Sequence, residues 1–239
     1  MLPFLYESSR VGRARQARRY THGFSFPDLL VVLAVSLLLA CLVLPVLAHN
    51  TAKSKEVLCI SNLKEVNKAV LLYADDHRGA IPYQASGLNK AFWWWYKELV
   101  KGYIGLNSAS SPKDTKFACP NDRGYTDNKP FRFSDRFDYG SYVLNGVDLP
   151  GIPHIAGRQV SSIKEPGRTL LTMEFPAHGP YSWHSTRTGN RKLPFYSDAE
   201  SVVGFVDGHV KFIKIYYDGI NPAFTRDPIP GYEYQYSGD

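Results

Sequence analysis

From Leu29 to Ala48, twenty consecutive residues carry no charge, and Ser36 is the one clearly polar side chain among them. At ~1.5 Å of rise per residue such a run matches the hydrocarbon thickness of a bilayer, so a membrane-spanning helix is predicted. Pro27 stands where a first helical position would be, since its missing N–H costs nothing there. No glycine follows until Gly79, and Pro45 is the sole proline inside the run. This predicts one long helix with a kink or break near Pro45. Past His49 the pattern changes. Val57, Ile60, Leu63, Val66, Val70 and Tyr73 recur every three or four positions, with Lys55, Lys64, Glu65 and Lys68 between them. That half is amphipathic, its apolar stripe needs a downstream domain to pack on, and Arg78-Gly79 is the expected stop.

From residue 80 onward the apolar runs become short, and proline, glycine, asparagine and aromatic residues are frequent. "TLLTMEF" and "SVVGFVDGHVKFIKIYY" read as strands, the second split by Asp207-Gly208 into a hairpin with a tight primed turn. Residues 105–130 and 176–196 read as long loops. The expected class is α+β: a long N-terminal helix, membrane-spanning in its first half and amphipathic in its second, packed on a small antiparallel sheet. The divisions are a leader (1–23), the spanning half-helix (24–48), the amphipathic half-helix (49–79) and a globular head (80–239).

Charge refines this picture. The chain carries +6 at neutral pH, which taken alone suggests nucleic acid. Arg10, Arg13, Arg15, Arg18 and Arg19 all precede the span, opposed there by Glu7 alone, so residues 1–23 hold +4 and the rest only +2. The remainder has an ordinary globular balance, and no nucleic-acid partner is expected. Arginines beside a first span mark its cytoplasmic flank, which places the head outside the cytoplasm. Of the three cysteines, Cys41 lies in the apolar run. Cys59 and Cys119 are then the pair able to meet outside the membrane, as a disulfide or as two buried thiols.

Candidate chemistry is sparse. There is no G-x-S-x-G and no phosphate-binding glycine loop. His77, His154, His178, His184 and His209 invite a metal, and "EFPAHGPYSWH" places Glu174, His178 and His184 close in sequence. Glycine and proline between them remove any shared helical face, so surface histidines and no metal or cofactor are expected. Asp122 and Asp127 offer a calcium loop, but the EF-hand pattern is absent. Trp93, Trp94 and Trp95 in "FWWWY" have aromatic faces suited to stacking on sugar rings, or to completing a core.

The run "GFSFPDLLVVLAVSLLLACLVLP" resembles the prepilin N-terminus shared by type IV pilins and type II secretion pseudopilins. In that family a membrane peptidase cuts after a glycine, methylates the new N-terminal residue and expects an acid at the fifth mature position. Gly23, Phe24 and Asp28 occupy those places, and Pro45 falls where pilins commonly have proline. The family's acid is usually Glu, and its fourth mature residue is usually Leu or Ile rather than Pro27. "CISNLKEVNKAVLLYADDHRGAIP", "FACPND", "SYVLNG" and "EPGRTLLTME" resemble the branch with a C-terminal H-x9-DG signature, of which Asp207-Gly208 remain while Ser197 stands in the histidine's place.

The resemblance implies a pilin-like fold and a non-enzymatic structural subunit of a pilus or type II secretion pseudopilus. Its partners would be the prepilin peptidase, other pilin or pseudopilin subunits and the inner membrane, with a cytoplasmic N-terminus and a periplasmic head. Asp28 would meet the Phe24 amine of a neighbouring copy. The competing expectation is a membrane-tethered surface module that binds or cleaves polysaccharide.

Overall fold

The structure is a computed structural model of the chain. It describes residues 25–84, 93–125, 129–148, 150–178, 182–184, 199–216 and 227–239, with residues 45–52 described by their backbone alone. The chain divides into two compact units between Ala48 and His49.

Helix α1 spans Phe26–Asp76. It begins at Ser25, whose N–H and hydroxyl both donate to Asp28 Oδ2, at 2.9 and 2.6 Å. A side chain at the third helical position reaching back to the cap N–H is half of a capping box, which here satisfies one of the helix's orphan donors. Pro27 therefore occupies the second helical position rather than the first. The helix continues through Pro45, so the backbone is not broken there, although the missing proline N–H removes one helical hydrogen bond. Within the first unit, Phe26–Leu44 form 19 helical residues long and apolar enough to cross a membrane, all of them exposed.

In the second unit the rest of α1 packs on a four-stranded antiparallel sheet in the order β1 (Tyr142–Leu144), β2 (Leu170–Glu174), β3 (Ala199–Phe205) and β4 (Val210–Ile215). The buried residues of the helix are Cys59, Leu63, Val66, Asn67, Ala69, Val70 and Ala74. Burying Leu63, Val66 and Val70 stabilises the head by about 1.5–3 kcal/mol each. The stripe is rotated from the predicted one: Val57 is exposed and Cys59 takes the inward place, while Ile60 and Tyr73 lie at its edge.

Asn67 sets the helix against the sheet. Its amide donates to the Phe205 carbonyl at 3.0 Å and its oxygen accepts from the Thr172 hydroxyl at 2.7 Å. A Cβ on Gly204 would lie 2.5 Å from that oxygen, so only glycine fits at this strand position. The helix ends as the sequence predicts. Arg78 and Gly79 both adopt positive φ, and the Gly79 N–H returns to the Ala74 carbonyl at 2.7 Å, as in a Schellman closure.

The β3–β4 hairpin is present, but its turn is not primed. Gly208 N–H bonds the Phe205 carbonyl, Phe205 N–H bonds the His209 carbonyl, and only Gly208 has positive φ, at 95°. That is a three-residue loop closed by a left-handed glycine. The segment expected to be a long loop at 105–130 instead enters the core, with a 3-10 turn at Thr115–Phe117 and Phe117, Cys119 and Asp122 buried. The C-terminal tail joins the core as well: Thr169 pairs with Gln235 in a parallel bridge, and the Asn145 amide donates to the Leu170 and Tyr236 carbonyls, each at 2.8 Å.

Candidate functional sites

At the start of α1, both bonds from Ser25 fall on one oxygen of Asp28. The carboxylate therefore has a structural role within its own chain, as a helix-start acid that complements the unpaired N–H groups of the first turn. Gly23 and Phe24 lie outside the described residues, as do Asp127 and Ser197.

In the head, the three tryptophans have three different surroundings. Trp94 is 2 % exposed and stacks on Phe175 at 5.3 Å, with Phe131 and Phe137 against its other edges. It is a core residue with no face to offer a ligand. Trp93 is half-buried over the His178 ring, 4.2 Å between centroids, and meets Phe175 edge-on. Trp95 lines a cleft of about 700 Å³ with Tyr83, Tyr139, Glu98, Asp135 and Asp138.

The carboxyls of that cleft differ in character. Burial pushes Asp138 up despite the Lys97 ammonium nearby. Burial also opposes the charge on Glu98, but hydrogen bonds from Lys101 and Ser110 outweigh it and hold the group below the usual carboxylate range. Neighbouring carboxyls whose affinities for protons are pushed apart suit an acid and a base in one site.

Asp122 has no calcium-loop geometry among the described residues. One oxygen accepts from the Gly124 and Phe131 N–H groups at 2.8 and 3.2 Å, and the other from the Arg132 N–H and Ser141 hydroxyl at 2.9 and 2.8 Å. Its bonds organise the loop, and burial pushes its pKa up.

The expectation of surface histidines fails at two positions. His178 is fully enclosed by Trp93, Phe175 and Tyr236, and burial pushes its pKa down to about 3. The folded head thus holds it neutral, whereas the unfolded chain takes up a proton near the ordinary value of ~6.5. Below that pH the unfolded state binds more protons, so stability falls as pH falls, by at most about 1.4 kcal/mol per unit until pH nears about 3. His178→Phe removes this contribution. Denaturant unfolding of the detergent-solubilised chain at pH 4.5 and pH 7 should show a steeper acid loss for the native protein than for the variant, and equal losses would contradict the assignment.

His184 is the second buried histidine. Its Nε2 lies 2.8 Å from Glu174 Oε1, with the two side chains only 2 % and 0 % exposed. Burial opposes its charge, yet the carboxylate beside it prevails and raises its pKa. Glu174 is the last residue of β2. Its other oxygen accepts from the Val202 N–H at 3.0 Å, and the Asn121 amide nitrogen lies 3.0 Å from His184 Nδ1. Against this pair lie Cys59 and Cys119, joined as a disulfide. Alternation along β2 puts Thr172 and Glu174 on one face, towards α1, which is how a strand residue reaches a helix cysteine. Glycine and proline between residues 174 and 184 argue against a helix but not against a chain that folds back on itself.

Comparison with protein-family models, with curated proteins and with solved structures gives no match for this chain.

Proposed function

We propose that this chain is a pseudopilin or type IV pilin-like subunit, cut between Gly23 and Phe24, held in a membrane by the first half of α1, and packed beside other copies by a secretion or pilus machine. The observation that carries the proposal is the organisation of α1. An exposed, largely apolar stretch of nineteen residues carries a carboxylate in its first turn, and the same helix goes on to supply the inner stripe of the head. A carboxylate at the edge of lipid is costly unless paired. Asp28 Oδ2 is taken by Ser25, which leaves Oδ1 to meet the amine created by cleavage on an adjacent copy. Its work is then assembly rather than catalysis.

The test is intact-mass and N-terminal analysis of protein recovered from membranes of cells carrying a prepilin peptidase. A methylated Phe24 terminus is expected; a terminus at His49, as a secretory signal with Val46 and Ala48 at its cut would leave, or an intact Met1 would defeat the proposal. Two substitutions separate the assembly role of Asp28 from its capping role. Asp28→Asn should abolish incorporation into filaments, because it removes the charge. Ser25→Ala should leave incorporation largely intact, because it removes the hydroxyl bond to Asp28 but keeps the N–H bond and the charge, at a cost of about 1 kcal/mol or less. Equal loss from both would reduce Asp28 to a helix cap.

The Trp95 cleft favours a second reading, a membrane-tethered module that binds or cleaves polysaccharide. An aromatic face bordered by carboxylates suits a sugar ring and its hydroxyls. Under this reading Trp95→Ala weakens binding to the polysaccharide while Asp28→Asn leaves it unchanged.

A further inference from the structure

The buried group formed by Cys59, Cys119, Glu174 and His184 contains more chemistry than a structural disulfide requires. One ligand atom from each residue lies within 4.8 Å of all the others. They come from four places in the fold: α1, the loop after Phe117, the end of β2, and residues 182–184. A disulfide is content among apolar side chains. Placing a carboxylate and an imidazole against it, almost without exposure, adds a desolvation cost that cross-linking does not explain.

The orientation of the two polar groups is informative. His184 turns Nε2 towards both Glu174 Oε1, at 2.8 Å, and Cys119 Sγ, at 3.9 Å, while the Asn121 side chain takes Nδ1. Glu174 turns Oε1 inward and has Oε2 fixed by the Val202 N–H. A ligating carboxylate held through its other oxygen, and a ligating histidine whose other nitrogen faces an amide that can turn its oxygen to accept the Nδ1 proton, are what a metal site needs outside its first ring of contacts. Two sulfurs, one imidazole nitrogen and one carboxylate oxygen form a donor set that suits a tetrahedral zinc-class cation.

We propose that, when the Cys59–Cys119 bond is reduced, this centre binds one zinc-class divalent cation through Cys59 Sγ, Cys119 Sγ, His184 Nε2 and Glu174 Oε1. Disulfide formation and metal binding are then mutually exclusive states of one centre. A dithiol reductant supplies two electrons and two protons to the S–S bond and is itself oxidised to a disulfide, leaving two thiols. The cation displaces both thiol protons to solvent, together with the Nε2 proton of the charged His184 ring; Nδ1 keeps its proton and donates it to the Asn121 side-chain oxygen once that amide has turned over. Reoxidation by a disulfide-bearing oxidant takes the two electrons back and releases the cation. The sulfurs must move apart to tetrahedral spacing, and rotation about the two Cα–Cβ bonds begins that movement.

Cobalt(II) is the probe. The full chain in detergent micelles is reduced with a phosphine, opening of the bond is verified by thiol count after denaturation, with Cys41 as the constant background, and cobalt is titrated in. One equivalent should bind with the intense visible bands of tetrahedral cobalt and an ultraviolet thiolate charge-transfer band. The oxidised chain should show neither. His184→Ala should weaken binding by about 100-fold or more, and Asn121→Ala by about 10-fold. Binding by the oxidised chain, equal binding by His184→Ala, or no tetrahedral spectrum once the bond is open would each overturn the proposal. If His184→Ala fails to fold, X-ray absorption of the reduced, zinc-loaded native chain decides. Two sulfurs at about 2.3 Å and two nitrogen or oxygen ligands at about 2.0 Å are expected. A shell containing only sulfur, or no sulfur, would refute it.

Discussion

Trp94→Ala should lower the unfolding free energy of the head by about 3–5 kcal/mol, the range for truncating a large buried aromatic. Trp94 lies in a ring of aromatics, stacked on Phe175 and edge-on to Phe131, and a Cβ on Gly140 would come within 2.7 Å of its indole. That neighbour is backbone and cannot move in to fill the cavity, which puts the loss at the upper part of the range. Trp95→Ala, one residue later, partly buried at the edge of the core on the cleft wall, should cost clearly less, about 1–2 kcal/mol. Denaturant titration of both variants, each in the same detergent, measures the contrast. Comparable losses would mean that Trp95 also belongs to the core and would remove the main support for a sugar-stacking surface.

The second large effect is expected at a buried ion pair. Helix α2 (Tyr96–Val100) carries Lys97, which is fully buried, with its ammonium 2.9 Å from Asp114 and hydrogen-bonded to the Asp138 carbonyl. Asp114→Ala leaves that ammonium enclosed without its directly paired carboxylate, at a cost of about 3–5 kcal/mol. Removing both charges is a different experiment. Lys97→Met with Asp114→Leu restores apolar packing against Phe117, over whose ring the ammonium sits 5.1 Å from the centroid. The double variant should therefore be clearly more stable than Asp114→Ala alone. Unfolding midpoints of the native chain and these two variants test this, and a double variant no more stable than Asp114→Ala would contradict it.

How far these features could be read from sequence depended on the range of the interaction. Local periodicity was enough for α1, its stop at Arg78-Gly79 and the strands β2 to β4, because each depends on residues a few positions apart. It misjudged the rotation of the inner stripe, since Val57 and Cys59 both fit a spacing of three to four and the sheet alone decides between them. Nothing local marks Asn67 for burial; it is buried because Thr172 and Phe205, more than a hundred residues away, supply its partners. The three residues of β1 are too few for a pattern and exist because β2 pairs with them, with Tyr142 opposite Glu174.

The candidate sites divide in the same way. Asp28 stands out in the sequence by its place in the prepilin-like motif, whereas its bond to Ser25, only three residues off, is known from the structure alone. The tandem tryptophans read as one motif and are three separate environments, since neighbouring residues need not share a face. Glu174 and His184 were noticed together and set aside for lack of a helical face. What joins them is the placement of residues 182–184 against the end of β2, with Asn121 and Val202 holding the outer atoms. No spacing rule within the segment encodes a site whose other two members are Cys59 and Cys119.

The cross-link between α1 and the loop after Phe117 also sets how the head bears mechanical load. Going inward along α1, Val57 and Leu58 are exposed and Cys59 is the first fully buried residue among those whose side chains are described. Tension arriving through the helix from its N-terminal side therefore meets a covalent anchor before it reaches Leu63 or Val66. Force passes from the helix directly to residue 119, bypassing the side-chain packing that would otherwise peel away one turn at a time. With the sulfurs reduced, the same tension falls on whatever then holds Cys59 in place, so the oxidation state of one bond determines whether the head yields gradually or resists as a unit.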